Sequence, residues 1–143
     1  KDMTRLRKAM TREPSTELLL IGRRHVRSNN SWLHNSHRLV KGKSRCTMMI
    51  NPTNAKALGL QEGQMVNVTS RAGSVEIATE ITDELMPGVI SIPHGWGHNK
   101  TGTQWTTAEK NAGVSVNDLT DELFLDELSG NAALNGVPVT VTV

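Results

Sequence analysis

Residues 61–81, QEGQMVNVTSRAGSVEIATEI, constrain the fold more than any other stretch of the chain. Val66 and Val68, then Val75, Ile77, Thr79 and Ile81, alternate with polar or small residues, the period of half-buried strands. The intervening RAG at 71–73 makes a tight hairpin turn. The C-terminal GVPVTVTV repeats the pattern, with Val137, Val139, Val141 and Val143 on one face, and a terminal strand in full alternation closes a sheet. ELLLIG (17–22) is a continuous apolar run that reads as a central strand buried on both faces; GVISIP (88–93) reads as another buried strand. TMMIN adds a strand, and Asn51-Pro52 starts a short helix over TNAKALGL with Gly59 as its stop. Thr120 is placed to cap a second short helix through DELFLDELSG. About six strands and one or two short helices predict a mainly β protein, a small closed barrel. Its two long polar loops, after the first strand and after SIP, are expected to meet at one end.

Composition narrows the class. Aromatic residues are 3% of the 143, so the core must be built from Val, Ile, Leu, Met and Ala. No apolar run approaches the ~20 residues that span a bilayer, which excludes membrane insertion by a helix. The single Cys46 forms no internal disulfide, and a cytoplasmic location is expected. The chain opens on Lys1 without an initiator Met and is read as part of a longer polypeptide. Met3, Leu6 and Met10 fit an amphipathic helix ended by Pro14 and Ser15. Residues 1–15 are therefore read as a linker or docking helix, and 16–143 as the barrel domain.

Charge is unevenly spread. Residues 1–45 carry 12 Lys/Arg against 3 Asp/Glu, a net of +9, whereas 46–143 carry 4 against 11, a net of −7. The first third thus suits an anionic ligand or an acidic surface. Within it, IGRRHVRSNNSWLHN combines arginines, histidines, asparagines and a tryptophan without periodicity, and a loop of that length is usually functional or disordered. Trp32 and Leu33 argue against disorder.

The ordered set LLLIGRR…NNSWLHN, NPTNAKALGLQEGQMVNVTSRAGSVEIATEITDELMPGVISIPHGWG and VNDLT resembles the C-terminal molybdopterin-dinucleotide-binding domain of the molybdenum and tungsten oxidoreductases, the group of formate dehydrogenases and nitrate reductases. The resemblance covers about residues 17–143. It implies a six-stranded double-psi β-barrel that closes over a molybdopterin guanine dinucleotide (bis-MGD) carrying molybdenum or tungsten. It also implies that metal ligand and most of the substrate pocket come from upstream catalytic domains of the same chain; a further candidate partner is an electron-transfer subunit. The isolated domain is not expected to be catalytic.

Pyrophosphate calls for guanidinium forks and main-chain N–H donors, and a pterin edge calls for amides and carbonyls. Gly22 is read as a point of close backbone approach, Arg23 or Arg24 as the phosphate ligand, and Asn30, Ser31, His34 or Asn35 as partners of the pterin edge, with Trp32 beside them. PHGWGHN adds His94, Gly95 and Trp96; the resemblance places this segment, and Asn117 of VNDLT, near the cofactor. Asn-Asp before a short helix is equally the chemistry of a cap or turn. His94 and His98 are spaced for a metal, but two glycines between them weaken a helix and no third ligand is spaced to join them. The acidic set Asp118, Asp121, Glu122, Asp126 and Glu127 reads as a solvated face, and Cys46 as a small buried residue. Two other classes of function compete: a barrel serving only as a protein-interaction module, and a nucleic-acid binder. The latter is disfavoured because the aromatics are too few and scattered for a stacking platform.

Overall fold

The computed structural model describes residues 2–11, 17–126 and 129–143. A helix α1 (Asp2–Met10) precedes six strands: β1 (Leu18–Arg23), β2 (Thr47–Ile50), β3 (Met65–Thr69), β4 (Ser74–Ile81), β5 (Val89–Pro93) and β6 (Val137–Thr142). Short helices α2 (His37–Val40), α3 (Pro52–Leu58) and α4 (Thr106–Glu109) and a 3-10 helix (Val116–Leu119) fill the connections. The strands close into a barrel in the order β1-β5-β2-β4-β3-β6. Two parallel pairs, β1 with β5 and β2 with β4, are joined by antiparallel pairings, the crossed arrangement of a double-psi barrel.

Local chemistry explains most elements. The Asn51 side chain accepts from Thr53 N and Pro52 opens α3, while Gly59 ends it at φ 69°. In the hairpin, Thr69 faces Ser74 in register and Ser70 N donates to Gly73 O across the turn. Leu20, Met48, Ile50, Val66, Val68, Ile90 and Ile92, all essentially inaccessible, fill the barrel. Burying each contributes roughly 1.5–3 kcal/mol.

Three expectations are corrected. β1 is not buried on both faces: only Leu20 is fully buried, because a barrel strand turns one face inward and leaves the other to the surface. The helix over 121–130 does not form among the described residues. Thr120 instead ends the 3-10 helix, its hydroxyl donating to Asn117 O, and the Asp121 side chain accepts from Leu123 N in a turn. Leu125 then bridges to Ala132, and Glu127 lies outside the described residues. Val143 lies beyond β6 and is exposed. In α1, Met3, Leu6 and Met10 are exposed, and Pro14 and Ser15 lie outside the described residues.

Candidate functional site at the loop end of the barrel

Because β1 and β5 run parallel with Arg23 beside Pro93, the two long loops leave the barrel side by side. The pairing directions bring the starts of β2, β4 and β6 and the β3–β4 turn to the same end. The 3-10 helix reaches it too, since Gly73 in that turn packs against Asp118 O. The two long loops and the 3-10 helix carrying the predicted cofactor-binding residues therefore meet at one end of the barrel.

The two arginines part company. Arg23 is turned inward: Nη1 donates to Ser91 O at 2.5 Å, and Nη2 to Thr47 O and Oγ1, both at 2.9 Å, with Glu80 4.0 Å away. Burial, offset by Glu80, lowers its pKa from the ordinary value. These donors are turned to the barrel, whereas the neighbouring guanidinium is not. Arg24 is exposed and bonds the Asn30 side-chain oxygen. Gly22 N donates to the Asn135 side chain at 2.8 Å.

Asn29 and Asn30 both take positive φ, 42° and 61°, a conformation that asparagine tolerates better than most residues. This turn packs on the second loop at Gly95 (φ 92°), where an added Cβ would lie 2.1 Å from Asn30 O. Asn35 joins the same two loops by accepting from Thr107 N and Ala108 N, both at 3.1 Å, at the start of α4.

His34 is entirely buried, packed against Trp96 with ring centroids 3.9 Å apart and planes tilted by 30°, and its Nδ1 lies 2.7 Å from His98 Nε2. Burial, then His98 and Arg45, pull its pKa down to about 4, so the imidazole is neutral at pH 7. His34 Nε2 and Trp96 Nε1 are buried with no hydrogen-bond partner among the described residues. His98 stacks in turn on Trp105 and lines a cavity of about 390 Å³ with Ser31, Thr103, Gln104 and Trp105. Sequence reading missed Trp105 and Asn135, whose places depend on contacts across the chain.

Elsewhere the assignments are simpler. Trp32 is 79% exposed. His94 is half-buried and donates its N–H to Arg23 O at 2.9 Å, and Asn117 is exposed on the 3-10 helix. His98 thus pairs with His34, and no cluster of three metal-ligating side chains occurs among the described residues. Cys46 is buried against Gly113 and Val114, and burial pushes its thiol pKa up, against a role as nucleophile. Asp118 pairs with Lys100 at 2.6 Å and Asp121 with Arg71.

A closed six-stranded barrel with two long loops clasped at one end defines the class by its fold, a mainly β double-psi barrel. Within it, the chain belongs to the molydopterin dinucleotide binding domain family, whose model matches residues 18–138. It is similar to a tetrathionate reductase polypeptide of Salmonella typhimurium, 29% identical over 121 residues, covering 73% of this chain and 12% of that protein. It is also similar to ArrA, the molybdopterin-containing polypeptide of the arsenate respiratory reductase of Chrysiogenes arsenatis, 31% identical over 114 residues, covering 76% and 13%. With the dimethyl sulfoxide/trimethylamine N-oxide reductase of Cereibacter sphaeroides it shares 30% over 132 residues, covering 85% and 16%. The chain thus spans 12–16% of the length of these relatives. Acetylene hydratase from Pelobacter acetylenicus shares the fold, with a TM-score of 0.74 at 20% identity over 99% of this chain and 20% of that one. No helix among the described residues is long and apolar enough to cross a membrane.

Proposed function

We propose that this chain closes over a pterin–guanine dinucleotide in a molybdenum or tungsten oxidoreductase whose catalytic domains lie upstream, with 1–15 as a linker or docking segment and 16–143 as the binding domain. The observation that carries the reading is the convergence of both long loops at one barrel end, over a cavity lined by Ser31, His98, Thr103, Gln104 and Trp105.

In this reading the chain's own residues bind and orient. Arg24 supplies the exposed guanidinium for phosphate, Asn30 and Ser31 supply polar groups at the mouth, and Gly22 and Gly95 let main chain come close. Trp32, His94 and Asn117 stand at the rim, while Arg23, His34, Asn35 and Trp96 hold the loops in shape. The bound group supplies the redox chemistry through its metal. Substrate turnover and an electron-transfer subunit belong to the whole enzyme, and the unpaired Cys46 suits a cytoplasmic setting, which cell fractionation tests. Arg24→Ala in the native full-length protein is expected to lower retained nucleotide per polypeptide about tenfold while leaving the melting temperature unchanged. Unaltered retention in both Arg24→Ala and Asn30→Ala would count against this placement and favour a barrel used only for protein interaction.

A further inference from the structure

A second cavity at the loop end, about 320 Å³, lies between the stretch leading into β2 and the end of the second loop. Ser44, Arg45, Trp96, Lys110 and Asn111 line it, and no carboxylate does. Arg45 is anchored by Nη2, which donates to Leu39 O at 3.1 Å, but its Nε is buried without a partner. The indole Nε1 of Trp96, a residue only 8% exposed, is likewise buried and unpartnered. Two N–H donors are therefore held out of water in residues that wall one cavity, at a cost that an acceptor would remove.

The charges point the same way. Ion pairs among the described residues join Arg23 to Glu80, Arg71 to Asp121 and Lys100 to Asp118, and Arg27, Arg45 and Lys110 take part in none. Burial, and secondarily the repulsion of nearby Arg27, lower the Arg45 pKa from its ordinary value, the sign of a cation without a counter-charge. A cavity that collects two cations, a hydroxyl, an amide and two unused N–H donors, with no acid, suits an oxyanion.

We propose that this cavity is a phosphate-type oxyanion site, with Arg45 and Lys110 as its cations and Trp96 Nε1 and Ser44 as its neutral donors, Asn111 Nδ2 donating to Thr107 O at 3.1 Å beside them. The site stands on its own geometry. It rests on the function proposed above only for one of its two sources, the phosphate of a bound dinucleotide, the other being a free phosphate anion. Lys110 is exposed, so Lys110→Gln leaves the fold intact.

The test is calorimetric titration of inorganic pyrophosphate into the full-length protein purified from cells unable to make a pterin cofactor. Wild type should bind one more pyrophosphate than Lys110→Gln, and Arg45→Gln should bind at that site at least about tenfold more weakly, with unchanged melting of Lys110→Gln as the control for folding. Equal binding by wild type and both variants overturns the proposal. In protein from cells that make the cofactor, disappearance of the site identifies the dinucleotide phosphate as its occupant, and persistence identifies a free anion; both support it. Absence of nucleotide from that preparation would sink the function proposed above without touching the titration of the unloaded protein.

Discussion

His34 Nδ1 and His98 Nε2, 64 residues apart in sequence, meet at 2.7 Å and tie the two loops of the site together. One imidazole must donate and the other accept, so the pair is stable only while it holds a single proton between the two nitrogens. Removing His98 takes away the partner of a fully buried Nδ1. His98→Ala is therefore expected to destabilise the protein by about 1–3 kcal/mol, read by urea denaturation at pH 7.5.

The same pair sets a pH dependence. The folded-state pKa of His34, about 4, lies below its ordinary value of 6.5. Between those values the unfolded chain binds a proton that the folded chain refuses, so this contribution to stability is complete above about pH 6.5 and is lost as pH falls toward 4. The loss is on the order of 3 kcal/mol across that window. Denaturation midpoints between pH 7.5 and 4.5 should fall more steeply in wild type than in His34→Phe; parallel curves would refute the assignment.

Arg23 and Arg24, neighbours in sequence, should fail differently when replaced. Arg23→Leu strips Ser91 O and both Thr47 oxygens of their donor and leaves Glu80 without its cation, an expected loss of about 2–4 kcal/mol. Arg24→Leu should shift stability by less than about 0.5 kcal/mol, because its guanidinium lies at the surface. Thermal melts of the two variants side by side check the contrast.

Two glycines with nearly equal dihedrals separate backbone strain from loop packing. Gly95 (φ 92°) would place a Cβ 2.1 Å from Asn30 O, whereas Gly102 (φ 90°) would meet nothing within 4 Å. Gly102→Ala should cost only the conformational strain, about 1–2 kcal/mol, and Gly95→Ala clearly more, with the first loop displaced. Tryptophan fluorescence, sensitive to Trp96 beneath the contact, should change in Gly95→Ala alone.

Much of this fold was legible in the sequence because its information is local. Alternation located β3, β4 and β6, and Asn51-Pro52 with Gly59 bracketed α3. The apolar run at β1 misled because burial depends on how the barrel turns the strand, which periodicity alone does not report. DELFLDELSG misled for a different reason: Leu123, Phe124 and Leu125 are consecutive, not spaced by three and four, and Asp121 bonds Leu123 N in a turn while pairing with Arg71. The site was legible as two loops, while the contacts that shape them were not. The inward turn of Arg23, the capping by Asn35 and the His34–His98 contact are set by partners distant in sequence, and no spacing rule carries them.

The most direct measurement of the central claim is metal and nucleotide content of the native full-length protein, by mass spectrometry and by acid hydrolysis. The account predicts molybdenum or tungsten with roughly two GMP released per metal, the protein supplying the binding and the cofactor the chemistry. Protein with neither metal nor nucleotide, from cells shown to make the cofactor, would contradict it.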